Sequence, residues 1–359
     1  MTRKITFPNL GNYQIAFKAL FSNLGFEVVP PPRTSKKSIE KGLKHSPEFV
    51  CFPFKVNMGN YIQSIEEKGA NTILILDTQG ECRFRYYGTL QEKILDDLGY
   101  KVSFFSFNTK NLFGYLRQLG IFKIPPWRII RASWIAWQKL RLAELIEDLS
   151  WSTRPREQEP GETGKVMSEY LDTLDKTNSV IRLMRLGKEI KNAFLMVKID
   201  KTRKPLKIGI IGELYVIAES YVHKDIDVAL GNLGAEVYKA VRASSVVGHT
   251  FKPWQKKYLY NLAKPYLTTT VGGHGLDSVA HMLEYAEESF DGIVHLAPFG
   301  CMPETTVRPI LNQISKEKNL PLLSLSLDEQ SAEAGLQTRL EAFIDLIKDR
   351  KHSRQYNNK

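Results

Sequence analysis

The pattern of apolar and polar positions alternates between short β-type runs and stretches with helical spacing. Residues 12–24 place apolar side chains on one helical face and are followed by Gly25. The run NTILIL at 71–76 is typical of a buried strand, and KVSFFSF at 101–107 predicts another. Strands that alternate with helices in this way favour parallel βαβ units.

A second alternation of this kind begins at residue 205. The run KPLKIGIIG predicts its first strand, and DGIVHLAP and LPLLSLSL predict two more, with helical segments between them. Between the two alternations, PPWRIIRASWIAWQKLRLAELIEDL and residues 165–200 predict helices and few strands. We therefore predict an α/β protein with two Rossmann-like parallel-sheet units joined by a helical connector.

Chain length agrees with this division, because 359 residues exceed the size at which one hydrophobic core usually keeps growing. The predicted boundaries are a first α/β unit at 1–124, a helical connector at 125–204, a second α/β unit at 205–348 and a disordered basic tail at 349–359.

The connector begins with a basic helix rich in tryptophan. Ile130, Trp134, Trp137, Leu145 and Leu149 fall on one face of it. Such a helix can lie on a membrane. A stripe of this kind more often packs on its own protein, so we expect internal packing.

Composition is that of a globular protein, with 43% hydrophobic and 25% charged residues. The net charge of +11 and the pI near 9.3 would permit binding to nucleic acid, an anionic membrane or an acidic protein. Because the excess of basic residues is dispersed along the chain, we expect these residues to lie on a solvated surface, and we do not expect nucleic acid as a partner. No stretch is long and apolar enough to predict a membrane span, and MTRKITFPNLGNY lacks a signal-peptide core, which favours the cytoplasm.

The three cysteines do not form a disulfide framework of the secreted type, so we expect reduced thiols. Cys51 follows the apolar run EFV, Cys82 follows NTILIL, and Cys301 follows GIVHLAP; each precedes a predicted helix. In parallel sheets the loops beyond the carboxyl ends of strands form the ligand crevice. The sequence therefore predicts that the three thiols converge in one cleft.

Two interpretations of this cleft remain open on the residues alone. A helix N-terminus lowers the pKa of a thiol and favours an anionic ligand such as an iron-sulfur cluster. However, free cysteine usually packs as a small hydrophobe. The separations of 31 residues (51 to 82) and 219 residues (82 to 301) match no compact ferredoxin or zinc-finger spacing.

Several segments resemble the 2-hydroxyacyl-CoA dehydratase family, whose members are similar to the D-component of 2-hydroxyglutaryl-CoA dehydratase. Within this family the resemblance is to the branch of acyl-CoA dehydratase activase-related proteins, which are CoA protein activase-like. The segments that carry the resemblance are VCFPFKVNMGN, GECRFRYYGTLQ, GELYVIAESYVHKDID, VGGHGLDSVAHMLEYA, FGCMPE and LDEQSAEAGLQTRLEAFIDLI.

The resemblance implies a 4Fe-4S cluster bound by Cys51, Cys82 and Cys301, with the fourth iron open, or with the cluster forming part of a double-cubane cluster. It also implies an ATP-dependent activase partner that supplies low-potential electrons in anaerobic metabolism. Further expectations are a homo- or hetero-dimer and a CoA thioester substrate for a reductase or dehydratase component.

Other residues leave their roles open. The sequence has no GxxxxGK[ST] phosphate-binding loop, so ATPase activity is not expected in this chain. Glu213, after a predicted strand, is a candidate general acid or base, or a helix cap. His274 in VGGHGLDS is a candidate catalytic residue or fourth metal ligand, or a loop histidine bonded to backbone. Two further functions remain as alternatives: a non-catalytic scaffold or regulatory partner of an activase complex, and a polyanion-binding protein.

Overall fold

The computed structural model describes residues 3–76, 81–107, 112–251 and 253–357. Side chains are described over the same ranges, apart from those of residues 76, 112, 249–251, 253 and 354–357.

The first unit contains a four-stranded parallel sheet in the order β2-β1-β3-β4. Its strands are β1 (Lys4–Thr6), β2 (Glu27–Val28), β3 (Thr72–Leu76) and β4 (Ser103–Phe107). Its helices are α1 (Gln14–Leu24), α2 (Lys36–His45), α3 (Phe52–Lys68), α4 (Tyr87–Asp97) and α5 (Leu112–Gln118). As its spacing predicts, α1 ends at Gly25, which adopts a left-handed conformation with φ of 100°.

Three helices follow this sheet: α6 (Pro126–Thr153), α7 (Glu162–Lys176) and α8 (Val180–Met196). They share a core that includes Ile135, Ile146, Leu174 and Leu186. Ile15 of α1 enters the same core. The predicted helical connector is therefore packed against the first unit.

The second unit contains another four-stranded parallel sheet, in the order β6-β5-β7-β8. Its strands are β5 (Leu206–Gly212), β6 (Ala235–Lys239), β7 (Gly292–Pro298) and β8 (Leu322–Leu327). Its helices are α9 (Leu214–Ala218), α10 (Ser220–His223), α11 (Ile226–Asn232), α12 (Ala243–Phe251), α13 (Pro253–Ala263), α14 (Gly275–Glu287), α15 (Met302–Glu317) and α16 (Glu333–Asn357).

The two sheets have equivalent strand orders, which confirms the prediction of two Rossmann-like parallel-sheet units. In each sheet the second strand lies on one side of the first strand and the third strand lies on the other side. The strand order therefore reverses between β1 and β3 in the first sheet and between β5 and β7 in the second. Ligands of open α/β sheets bind beyond the carboxyl ends of strands at this position. The described helices include none long and apolar enough to cross a bilayer.

The structure describes most of the basic tail that the sequence predicts to be disordered at 349–359. Helix α16 continues to Asn357. No glycine or proline interrupts residues 349–357. In addition, Lys351 Nζ lies 2.6 Å from Asp291 Oδ1, which anchors this end of the helix to the second unit.

The apolar run before Cys51 is not a strand. Residues 46–51 have turn and irregular backbone, and the side chain of Phe49 is 84% exposed. The run EFV directly follows Pro47 after the end of α2, and none of the described strands pairs with it. The position of Cys51 is therefore set by the start of α3, which it directly precedes.

The expected internal packing of the tryptophan stripe on α6 is only partly correct. Trp134, Leu145 and Leu149 pack at the edge of the connector core, whereas Ile130 and Trp137 are exposed. The buried face is formed instead by side chains that include Ala132, Ile135, Leu142, Ala143 and Ile146.

Candidate functional site

Cys51 is the residue from which α3 begins, and backbone hydrogen bonds fix it from two sides. Its N–H donates to Tyr87 Oη at 3.0 Å. The N–H of Phe52 donates to Phe299 O at 3.0 Å, and Phe299 follows β7 of the second unit. The Cys51 loop is therefore joined directly to the carboxyl end of β7.

Cys301 precedes α15 in the same way, and its N–H donates to Pro298 O at 3.0 Å. The preceding Gly300 has a φ of 76°. A Cβ atom at Gly300 would lie 3.1 Å from Val50 O and 3.3 Å from Cys51 Cα. This glycine therefore allows the Cys301 loop to approach the Cys51 loop closely.

Cys82 precedes a short 3-10 helix and lies against the loop before α14. A Cβ atom at Gly273 would lie 3.8 Å from Cys82 Sγ and 3.0 Å from Pro303 Cγ. Because Pro303 follows Cys301 by two residues, Gly273 lies between the segments that carry these two thiols.

Arg83 connects all three thiol-bearing segments. It directly follows Cys82, its Nη1 donates to Phe49 O at 2.7 Å, and its Nη2 donates to Gly300 O. The two carbonyl groups belong to the Cys51 loop and the Cys301 loop. The structure thus brings together the three segments that the sequence predicts to meet.

Burial dominates the protonation of two of the thiols, those of Cys51 and Cys301. It raises the pKa of Cys51 to about 12, although the Tyr87 hydroxyl lowers it. Burial also raises the pKa of Cys301 far above its usual value, and the charges of Glu304 and Glu213 raise it further. The expected lowering by helix N-termini is therefore outweighed in the metal-free chain.

Glu213 occupies the helix-cap position that was one of its two expected roles. Its Oε1 accepts from the Tyr215 N–H and its Oε2 from the Val216 N–H, both at 3.1 Å, at the start of α9. Burial raises its pKa, while His274 lowers it. Glu213 is close enough to influence the pKa values of Cys51 and Cys301, so it lines the same cleft.

His274 precedes α14, and its Nδ1 lies 3.1 Å from Asp277 Oδ2. Burial lowers its pKa, but the hydrogen bond and charge of Asp277 outweigh this effect and raise it overall. Its partner is thus a carboxylate side chain, whereas a backbone partner was one of the two expectations.

Glu304 is a residue of the site that sequence reasoning missed. Its side chain is fully buried, and its Oε2 accepts from Ser278 Oγ at 3.0 Å and lies 2.9 Å from His295 Nε2. Its Oε1 has no hydrogen-bond partner among the described residues. The only signal in the sequence is the spacing of FGCMPE, which places Glu304 three residues after Cys301.

The site offers sulfur ligands but no ready-made site for a single metal ion. Within the described ranges, no group of three or more histidine, cysteine, aspartate or glutamate side chains is arranged to hold one ion. In a cubane each thiolate binds a different iron, so its ligands stand farther apart than those of a single ion. The three thiols come from separate segments that approach one another at Gly273 and Gly300, and thiolate sulfur is the donor that such a cluster uses.

Comparisons with known proteins give two matches. A family model described as 2-hydroxyglutaryl-CoA dehydratase, D-component, matches residues 163–347, which is 185 of the 359 residues. A model described as CoA enzyme activase uncharacterised domain matches residues 9–75. No curated protein matches the chain. Cys301 lies within the first match and Cys51 within the second, and Cys82 lies between them.

Proposed function

Because the chain belongs to the 2-hydroxyglutaryl-CoA dehydratase D-component family, we propose that Cys51, Cys82 and Cys301 together hold a 4Fe-4S cluster in the cleft between its two α/β units. The observation that most supports this proposal is the set of contacts joining the three thiol-bearing segments. Arg83 bonds to carbonyl groups of two of them and directly follows the third cysteine.

The surroundings of the thiols suit an anionic inorganic group. Helices α3, α14 and α15 begin around the cleft, and their first N–H groups carry partial positive charge. Such a cluster, when bound, would accept an electron at low potential and pass it to a substrate. With three protein ligands, one iron is left for an exchangeable ligand or a second cluster.

The residues around the thiols hold and orient the site. Arg83 fixes the spacing of the Cys51 and Cys301 loops, and Tyr87 holds the Cys51 backbone N–H. Glu213 and His274 are the candidate residues for proton transfer, because both are half-buried beside the thiols and both have a raised pKa. The charge of His274 lowers the pKa of Glu213, and the charge of Glu213 raises the pKa of His274.

The partners that we propose follow from the family. An ATP-dependent activase would supply the electrons, a CoA thioester would be the substrate, and the working form would be a homo- or hetero-dimer. This chain would act as the reductase or dehydratase component in the cytoplasm of an anaerobically growing cell, and ATP hydrolysis would belong to the partner.

Anaerobic reconstitution with iron and sulfide tests the cluster. We expect about four iron atoms per chain and a paramagnetic resonance signal after reduction. Replacing each cysteine in turn, as Cys51→Ala, Cys82→Ala or Cys301→Ala, should reduce the bound iron, whereas Thr305→Ala, an exposed change near Cys301, should not. Wild-type protein without iron, or cysteine variants with full iron content, would contradict the proposal.

The alternative is a non-catalytic scaffold or regulatory partner of an activase complex. The observation that favours it is the burial of Cys51 and Cys301, which keeps their thiols protonated as in structural cysteines. A redox titration with and without the ATP-dependent activase distinguishes the two. Reduction of bound iron that requires the activase and ATP supports electron transfer, and its absence supports the scaffold.

A further inference from the structure

One face of α6 presents large apolar side chains to solvent. Trp127, Ile130, Trp134 and Trp137 recur at helical spacing on this helix, and we name them the tryptophan face. Trp127 is 66%, Ile130 70% and Trp137 39% exposed, while Trp134 is half-buried at the edge of the connector core. Exposed tryptophan and isoleucine concentrated on one helix face indicate an interaction surface.

The charged residues in the part of the sequence around the tryptophan face have one sign. From Leu98 to Ala143 the sequence contains eight basic residues and no acidic residue. The basic side chains near the face do not all have carboxylate partners: Arg128 donates to Asn23 O at 2.8 Å, and Arg131 donates to Asn23 Oδ1 at 3.3 Å. In the part of the chain that the structure describes, these two arginines therefore donate to uncharged oxygens and form no ion pair.

Neighbouring elements extend the same combination of apolar and basic residues. Phe122, five residues before Trp127, is 61% exposed and is followed by Lys123. Arg131 also reaches Asn178 O, just before α8. In the first turns of α8, Ile181 and Met184 are 64% and 71% exposed and alternate with arginines.

We propose that the tryptophan face binds the surface of a bilayer that contains anionic lipids. Tryptophan is stable at the boundary between headgroups and acyl chains, and aliphatic side chains gain free energy when they enter that boundary. Lysine and arginine beside them meet the negative headgroups. The helix would lie in the plane of the membrane, with its other face on the connector core.

Two other occupants fit the surface less well. A second copy of this chain in a symmetric contact would bring the same cationic patch against itself, and like charges would repel. Nucleic acid could stack on the tryptophans, but Ile130, Ile181 and Met184 would remain exposed, since phosphates and bases do not cover aliphatic side chains as hydrocarbon does.

Sedimentation of the full chain with lipid vesicles tests the proposal. We expect binding to vesicles of phosphatidylcholine with about one third phosphatidylglycerol, at least tenfold stronger than to phosphatidylcholine alone and weaker at high salt. The double variant Trp127→Ser/Ile130→Ser and the double variant Lys123→Gln/Arg131→Gln should each weaken binding by roughly tenfold.

Trp254→Ser is the matched control, because Trp254 is also exposed but lies on α13. It should bind vesicles as the wild-type chain does. No binding to anionic vesicles at low salt would overturn the proposal, as would an equal loss in the control. Binding to single-stranded RNA that is lost in the tryptophan variant, with no vesicle binding, would assign the face to nucleic acid instead.

Discussion

Glu219 and His223 show how burial sets protonation at single residues. Both are buried near α10, and Glu219 Oε2 accepts from the Gly11 N–H of the first unit at 3.1 Å. Burial raises the pKa of Glu219 to about 7 and lowers the pKa of His223 to about 4. Near pH 5.5 the folded chain therefore keeps both side chains neutral, whereas the unfolded chain ionises both.

The two residues give opposite pH dependences. The stabilising contribution of neutral Glu219 is complete below its unfolded pKa of about 4.5 and is lost as the pH rises through about 7. The contribution of neutral His223 is present above about 6.5 and is lost as the pH falls towards about 4. Between about pH 4.5 and 6.5 the contributions of these two residues to the free energy of unfolding therefore change in opposite directions and nearly cancel.

Glu219→Gln should separate these effects, because glutamine stays neutral. Relative to wild type, the free energy of unfolding of the variant should increase by roughly 2–3 kcal/mol between pH 5 and pH 8. Urea titrations at several pH values measure this difference. Glu159→Gln removes an exposed acid as a control. A difference between wild type and Glu219→Gln that does not change with pH would contradict the assignment.

At the residue scale, the sequence predicts the positions of the thiols but not the roles of the neighbouring residues Arg83 and Glu304. Cys82 and Cys301 could be placed because each follows a recognisable strand and precedes a helix. Arg83 could not, because its acceptors are backbone carbonyl groups, which every residue has. Glu304 could not either, since its partners Ser278 and His295 come from other elements that only the fold brings together.

At the scale of elements, the crossing of α2 and α3 determines where Cys51 lies. A Cβ atom at Gly59 of α3 would overlap Ser38 O, and one at Gly42 of α2 would overlap Lys55 O. The two backbones therefore touch without intervening side chains. Because Cys51 directly precedes α3, this contact fixes the helix end that carries the thiol.

Gly59→Ala should force α2 and α3 apart and destabilise the chain by about 3 kcal/mol, since backbone atoms cannot yield as a flexible side chain can. The midpoint of urea denaturation measures the loss. Gly114→Ala in α5 is the matched control: a Cβ atom there meets nothing within 4 Å, so the change should stabilise by about 0.5–1 kcal/mol. Similar effects for the two substitutions would show that the crossing is not tightly packed.

The elements themselves were largely predictable, and their arrangement was not. Apolar patterning indicated β3, β4, β5, β7 and β8 because each is a short segment rich in apolar residues. The order of strands in each sheet depends on pairing between distant segments, which periodicity does not encode. The run before Cys51 resembled a strand only by composition, and its lack of a pairing partner is a tertiary property.

At the scale of the whole molecule, contacts between residues far apart in the sequence hold the two α/β units together at the cleft. Lys55 Nζ lies 3.1 Å from Glu329 Oε1, with both side chains mostly buried. Arg83 reaches Gly300, and Phe52 bonds to Phe299. The cleft is therefore built from both units and depends on their alignment.

Arg83→Ala should loosen this alignment while changing overall stability little, because the side chain is exposed and its loss leaves no cavity. In the metal-free chain we expect iodoacetamide to modify buried Cys301 several-fold faster, as mass spectrometry of the labelled peptide would show.

Arg83→Lys, which keeps the charge but loses the fork that spans two carbonyl groups, should behave like Arg83→Ala. Arg85→Ala removes a neighbouring charge as a control and should leave the rate unchanged. If Arg83→Lys instead reacts at the wild-type rate, the effect comes from charge and not from the bridge between the two loops.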